Sequence, residues 1–169
     1  MERPDIFKDI LPVSCWSHDT LKPEGILIHA ISARNTNHDN PYDYSSVRKI
    51  FVDYGVSAHF GVLRNGSIIQ WVPEENVAYH AGKSRFRHLQ GLNSYWIGIE
   101  FFGVDDSAFD DRQYGPGAEL TSYLMEKYKI PSEYVRMHSE VSNHEVRSDP
   151  KWDPGKYFDW IRFGGLIID

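Results

Sequence analysis

Two histidines and one aspartate occupy positions from which they could act together in metal chemistry. His29 interrupts the apolar run 26–31, His138 ends a predicted strand, and Asp153 lies in the Lys-Trp-Asp-Pro-Gly segment 151–155. Two imidazoles and a carboxylate form a good ligand set for catalytic zinc, with a fourth position open for water. Bound zinc lowers the pKa of that water to about 7. The pattern is compatible with one Zn²⁺ per chain, but from spacing alone a lone buried histidine is more often a hydrogen-bonded core residue than a metal ligand.

Apolar periodicity indicates the elements that must position these residues. The apolar runs 26–31 and 96–102 are typical of buried central strands. The alternating stretch 57–63, the Asn65-Gly66 turn signal and a return strand at 67–72 predict a hairpin. A further strand is predicted at 134–137, and helices at 43–54, around 120–128 with Pro116 near its start, and at 158–163. Strands alternating with helices, plus one hairpin, predict an α/β fold with a mixed central β-sheet flanked by helices.

Length and composition fit one globular domain. The chain has 169 residues, of which 41% are hydrophobic and 25% are charged. We expect a single monomeric domain over 1–169, with an irregular N-terminal arm at 1–23 packed on a core at 24–163.

Charge and cysteine content exclude several classes of protein. A net charge of −6 argues against binding nucleic acid or anionic membranes through bulk charge. Cys15 is the single cysteine, so an intrachain disulfide framework is excluded. The N-terminus shows no signal-peptide pattern, and no apolar run approaches the roughly 18 residues of a membrane span. We expect synthesis in the cytoplasm and no membrane insertion.

Seven short segments, taken together and in order, resemble the type 2 N-acetylmuramoyl-L-alanine amidases. This family includes the cytosolic amidase of cell-wall recycling and phage amidase endolysins, and it is related to the peptidoglycan recognition proteins. The resemblance runs from about Gly25 to Trp160. The segments are 28–30, 56–60, 64–66 with 69–73, 78–82, Asn93 with 97–100, 137–139 and 151–155. The resemblance implies zinc-dependent cleavage of the amide between N-acetylmuramic acid and L-alanine in peptidoglycan or muropeptides.

The resemblance also implies a role for individual residues. His29, His138 and Asp153 take the places of the zinc ligands, Glu100 that of the general base, and Lys151 that of the oxyanion-stabilising lysine. Amide hydrolysis needs these functions, because a water must be activated, an oxyanion stabilised and the leaving amine protonated. The stretch before 153 is longer than in the recycling enzyme and contains two further candidates, Asp149 and His144. Asp153 fits better because Pro-Gly follows it.

Substrate contacts are expected near the His-Ala-Gly turn. His80 lies in that turn, and Asn93 could hydrogen-bond the stem peptide. Lys83 and Arg85, with Arg87, form a basic cluster beside the expected cleft, and arginine suits the carboxylates of stem peptides. The alternative for His80 is a hydrogen-bonded loop histidine, and for the basic cluster it is a solvated loop. His59, on a strand beside Phe60, is expected to be structural or to support a metal ligand.

Two other functions fit the same residues. A peptidoglycan-binding module without catalysis would keep the fold but would bind little or no metal. A zinc peptidase would cut within the stem peptide, with the same metal chemistry. The biological setting also stays open between a recycling enzyme and a phage endolysin that is released to the wall by a holin.

Overall fold

The computed structural model describes residues 1–168, which form ten β-strands and four α-helices. The strands are β1 (Phe7–Lys8), β2 (Trp16–Thr20), β3 (Gly25–Ile31), β4 (Phe60–Val62), β5 (Ile68–Gln70), β6 (Asn76–Ala78), β7 (Arg85–Phe86), β8 (Leu89–Gln90), β9 (Trp96–Phe102) and β10 (Val135–Met137). The helices are α1 (Tyr44–Tyr54), α2 (Asp111–Tyr128), α3 (His138–Val141) and α4 (Trp160–Leu166).

Six strands form the central sheet in the order β1-β5-β4-β9-β3-β10. β4, β9, β3 and β10 run parallel to one another, whereas β5 pairs antiparallel with β4. β1 extends the edge by pairing parallel with β5. The predicted α/β class with a mixed sheet is therefore confirmed.

The two longest strands lie together near the middle of this sheet. β3 and β9 are in register along their whole length, from Gly25 opposite Trp96 to Ile31 opposite Phe102. Ile28 and Ile99 belong to one hydrophobic core, and the residues that alternate with them face the other side. Continuous apolar sequence suits strands that are covered on both faces.

Helices cover both faces of the sheet. α2 and α4 bury Leu120, Leu124 and Phe163 in the core that contains Ile28 and Ile99. α1 buries Val47 and Phe51 on the opposite face, in the cluster with Trp71 and Phe102. The predicted C-cap of α1 is confirmed, since Gly55 has φ +62° and its N–H bonds back to the last turn. Within 1–168, no helix combines the length and apolar character that crossing a bilayer would require.

The expectation of an irregular arm at 1–23 was wrong for two stretches. β1 adds to the sheet edge beside β5, and β2 pairs antiparallel with β6. Both residues of β1 are exposed, and most of β2 is polar or half-exposed. Backbone pairing rather than an apolar pattern holds these strands, so periodicity gave no signal for them.

The N-terminus of α2 is tied directly to the ends of the central strands. The helix begins at Asp111, so Pro116 lies inside it rather than near its start as predicted. Gln113 is fully buried, and its amide nitrogen donates to the carbonyls of Val62 and Phe102, which end β4 and β9. Its amide oxygen accepts from the N–H of Asp110 in a capping box.

Replacing Gln113 with alanine should lower the free energy of unfolding by about 2 kcal/mol, because two strand-end carbonyls lose their buried donor. Urea unfolding measures this, with Glu119→Ala as the control on the exposed side of α2. The control should stay within about 0.5 kcal/mol of the parent. Equal stability of the two variants would show that the Gln113 bonds do not hold the helix to the sheet.

Candidate metal and active site

Three separate elements bring the predicted metal ligands to one edge of the sheet. His29 lies near the C-terminal end of β3, and His138 directly follows β10 as the first residue of α3. Asp153 comes from the loop before α4, which is tied to α3 by a 3.0 Å hydrogen bond from the N–H of Ser139 to the Asp153 carbonyl. The carboxyl ends of parallel strands commonly form such sites in α/β proteins.

The ligand atoms of these three residues converge on one point. The His29 Nδ1 lies 3.0 Å from the His138 Nδ1 and 3.2 Å from the Asp153 Oδ2. The His138 Nδ1 lies 3.1 Å from both carboxylate oxygens. All three ligand atoms lie within 4.8 Å of one another and all three residues are buried. Imidazole nitrogens and a carboxylate at such spacing suit a small divalent cation, so the residues fit zinc.

The protonation of this cluster favours metal binding. Burial, and then the neighbouring His138, lower the pKa of His29 to about 4, so the imidazole is neutral near pH 7. Burial opposes ionisation of Asp153, but the imidazoles of His138 and His29 outweigh it and hold the pKa of that carboxyl well below its ordinary range. Neutral imidazole and carboxylate are the forms that bind a metal ion.

Glu100 stands beside the cluster because of strand register. It is the partner of His29 in the β3–β9 ladder, and its side chain is buried. The Oε2 atom has no hydrogen-bond partner among residues 1–168. Burial, and then the charge of Asp153, raise the pKa of Glu100 well above its ordinary value, against the opposite effect of Lys151. A buried carboxyl with an unpaired oxygen and a raised pKa is suited to proton transfer.

These groups lie in a cleft of about 570 Å³. Lys151 and Trp152 are also in its wall, and Trp152 is 47% exposed. Asp149, the second acidic candidate, is not in the cluster, because it is exposed and pairs with Arg147 at 2.9 Å.

His80 and Asn93 both line the cleft, but their polar atoms are largely used within the protein. The ring nitrogens of His80 contact the His29 Nε2 at 3.0 Å and the Trp96 carbonyl at 2.9 Å, which leaves neither free for the substrate contact we expected. Asn93 Oδ1 accepts from the N–H groups of His80 and Ala81. Burial, and then the nearby imidazoles, lower the pKa of His80 well below its ordinary value.

The basic cluster after His80 is not part of the cleft wall. Lys83 is exposed on the turn before β7. Arg85 pairs with Glu145 at 3.2 Å, and Arg87 lies over the ring of Tyr134. The structure therefore does not bring Lys83 and Arg85 together with the metal cluster.

Two further residues belong to the surroundings of the site. Arg147 lines the cleft, and its side chain is 17% exposed. Nothing in the sequence distinguished it from a surface arginine. His59 is fully buried, and its ring bonds to the Asn76 carbonyl at 2.9 Å and to the Gly98 N–H at 3.0 Å. Its position on a strand beside Phe60 predicted a structural role or one that supports a metal ligand.

Comparison with known proteins gives the family. The family model described as N-acetylmuramoyl-L-alanine amidase matches residues 19–156. The chain therefore belongs to the N-acetylmuramoyl-L-alanine amidase family.

Named relatives and solved structures agree with this assignment. The chain is 38% identical over 112 residues to the 1,6-anhydro-N-acetylmuramyl-L-alanine amidase AmpD of Escherichia coli, a match that covers 66% of this chain and 58% of that protein. The chain thus spans less than two thirds of this curated relative. A selenomethionine derivative of AmpD superposes with a TM-score of 0.76 at 27% identity, covering 96% of this chain and 94% of that one. The structure of E. coli AmiD in complex with anhydro-N-acetylmuramic acid-L-Ala-D-gamma-Glu-L-Lys superposes with a TM-score of 0.70 at 27% identity. This match covers 90% of this chain and 61% of the AmiD chain.

Replacing His59 with asparagine should reduce the acid sensitivity of the metal-free protein. Burial lowers the pKa of His59 to about 4, so this histidine takes up a proton only on unfolding as the pH falls below 6.5. The stability it supports above pH 6.5 is lost as the pH falls towards 4. Uptake of one proton on unfolding makes the free energy of unfolding fall by about 1.4 kcal/mol for each pH unit of acidification. Urea unfolding between pH 7 and 5 should show a shallower slope for His59→Asn, and identical slopes would contradict the buried neutral state.

Proposed function

We propose that this protein is a zinc-dependent amidase that hydrolyses the bond between N-acetylmuramic acid and L-alanine in muropeptides or peptidoglycan. The observation that carries the proposal is the convergence of His29, His138 and Asp153 beside the buried carboxyl of Glu100, whose Oε2 has no hydrogen-bond partner within residues 1–168, at the wall of one open cleft. Family membership supplies the reaction, and this constellation contains the groups that the reaction requires.

His29, His138 and Asp153 would hold one zinc ion. Three protein ligands leave a coordination position open, as catalytic zinc sites require. Zinc at this position supplies Lewis acidity, which lowers the pKa of water and polarises a carbonyl oxygen.

Glu100 and Lys151 then act on the reacting groups. Glu100 takes a proton from the attacking water and returns it to the leaving amine of L-alanine, a role that suits a buried carboxyl whose pKa lies well above its ordinary value. Lys151 places a positive charge in the cleft wall, where the carbonyl oxygen becomes negative during attack. The charge of Lys151 already affects the pKa values of Glu100 and His29, which supports its proximity to the reaction centre.

The cleft wall also offers contacts for the rest of the substrate. The half-exposed ring of Trp152 provides a flat apolar surface, and the side-chain NH₂ of Asn93 makes no hydrogen bond within residues 1–168. Arg147 lines the cleft with its Nη1 near Gly82, and its guanidinium suits a stem-peptide carboxylate. Lys83 and Arg85 follow Gly82 in the chain and would contact a ligand that extends beyond the cleft.

The two alternative functions have less support from the same atoms. A binding module has no use for a buried carboxyl with a raised pKa beside a complete ligand set. A peptidase that cuts within the stem would share the metal chemistry, so the products separate it from an amidase.

Mass spectrometry of the products tests the proposal. With zinc bound, the protein should convert a soluble anhydro-muropeptide into the free sugar with its lactyl group and an intact peptide that begins with L-alanine. Glu100→Gln should retain zinc but lower the rate by about 10²- to 10⁴-fold, because the variant cannot transfer the proton. Glu119→Gln, on the exposed side of α2, is the matched control and should keep the parent rate.

Cleavage inside the stem peptide would identify a peptidase, and zinc-loaded protein that binds the muropeptide without cleaving it would identify a binding module. The same assay on intact sacculi addresses the biological setting. Similarity to AmpD leads us to expect faster release from the soluble muropeptide than from the sacculus.

A further inference from the structure

A chain of hydrogen bonds lies behind the metal cluster. The Nε2 of His29, on the ring edge opposite the cluster, is 3.0 Å from the Nδ1 of His80. The Nε2 of His80 is in turn 2.9 Å from the carbonyl oxygen of Trp96 in β9. The two rings are almost perpendicular, at 87°. Metal-binding histidines usually donate their second N–H to a carboxylate, a carbonyl or water, so an imidazole in this place is a departure.

The Trp96 carbonyl, at the end of this series of hydrogen bonds, determines which nitrogen of each ring carries a hydrogen. A carbonyl oxygen only accepts, so the Nε2 of His80 carries a hydrogen. A second hydrogen on Nδ1 would make His80 a cation beside His29 and His59, and no carboxylate of residues 1–168 bonds to it. The ring is therefore neutral, and its Nδ1 is an acceptor. His29 must then donate from Nε2, so the neutral ring that binds a metal ion has its lone pair on Nδ1, the nitrogen on the side of His138 and Asp153.

The same turn orients the second imidazole. The Nε2 of His138 is 3.1 Å from the carbonyl oxygen of Ala81, the residue after His80. Because a carbonyl oxygen only accepts, the Nε2 of His138 carries a hydrogen, and the neutral ring that binds a metal ion has its lone pair on Nδ1, the nitrogen that faces the cluster. Two adjacent residues of one turn thus set the tautomer of both imidazole ligands, one through a ring nitrogen and one through a backbone carbonyl.

The position of the His80 ring is fixed by its neighbours. Asn93 Oδ1 accepts from the N–H groups of His80 and Ala81 at 2.9 and 2.7 Å. On the other side the ring rests on the bare backbone of β9, since a Cβ at Gly98 would lie 2.6 Å from the His80 Cγ and Nδ1. Any side chain at Gly98 would displace the imidazole from its place between His29 and Trp96.

We propose that His80 is a positioning residue for the metal site, which fixes the tautomer and the ring orientation of His29 by accepting its Nε2–H. The proposal rests on the proposed function only in that the cluster binds zinc. In this role His80 contacts the metal ligand His29 rather than the substrate, and Asn93 and Gly98 keep its ring in place.

Zinc affinity, measured by competition with a chelator of known affinity, tests this role in three variants. His80→Leu removes the acceptor and fills a similar volume, and its affinity should fall by about 10- to 100-fold. His80→Asn can place its amide oxygen where Nδ1 lies, and it should recover most of that loss. His59→Asn alters another buried histidine, whose ring packs against His80 but whose hydrogen bonds go to backbone groups only. It should stay within about threefold of the parent affinity, although its stability changes.

A folded His80→Leu variant with the parental zinc affinity would overturn the proposal. So would an equal loss of affinity in His59→Asn, since that would indicate general disruption of the core. If His80→Leu does not fold, ¹⁵N NMR of the parent decides. We expect His80 to be protonated at Nε2 and bare at Nδ1, with or without zinc, and the reverse tautomer would refute the account. A parent that binds zinc but releases no peptide would refute the amidase function and leave this proposal intact.

Discussion

The parallel pairing of β3 with β9 is the constraint on which the site depends. The two strands are buried on both faces and are in register over seven residue pairs. This register sets His29 beside Glu100, on the opposite face of the sheet from Ile28 and Ile99. Because side chains alternate along a strand, a slip of one residue would move His29 into the core beneath α2 and bring isoleucine into the cleft. The hydrophobic core thus enforces the position of two polar residues that contribute nothing to it.

Burying these polar groups has an energetic cost that zinc would offset. His29, His138, Asp153 and Glu100 are all less than 10% exposed, and one oxygen of Glu100 is unpaired within residues 1–168. Buried polar groups without partners destabilise a fold by roughly 1 to 3 kcal/mol each. In the cluster, two imidazole nitrogens and a carboxylate lie 3.0 to 3.2 Å from one another, an arrangement that a bound cation would stabilise. The surrounding turns hold this arrangement through backbone groups, as the contacts of His80 and of Ala81 show.

The sequence predicted those parts of the structure whose burial pattern or motif lies within one strand, helix or loop. The range of β9 was predicted as the structure has it, and α1 and its Gly55 cap to within one residue, because continuous apolar runs and amphipathic stripes record burial directly. His29 was recognisable because a polar residue interrupted such a run. The preference for Asp153 over Asp149 came from the Pro-Gly that follows it, and Asp153 is the carboxylate that reaches the cluster.

The unpredicted parts depend on contacts between distant segments. Strands β1, β2 and β6 are held by backbone pairing across 50 or more residues, which leaves no mark on their local pattern. Pro116 suggested a helix start, yet Asp110 and Gln113 begin α2 earlier by a capping box. Sequence likewise could not show that both ring nitrogens of His80 are used within the protein or that Arg85 pairs with Glu145.

Zinc content of purified variants tests the central claim most directly. Inductively coupled plasma mass spectrometry of the parent should give about one zinc per chain, bound by the two imidazoles and one carboxylate. His29→Ala, His138→Ala and Asp153→Ala should each lose most of that metal while Asp149→Ala, which removes the exposed carboxylate four residues away, retains it. Full zinc occupancy in folded His29→Ala, or metal loss in Asp149→Ala alone, would contradict the account.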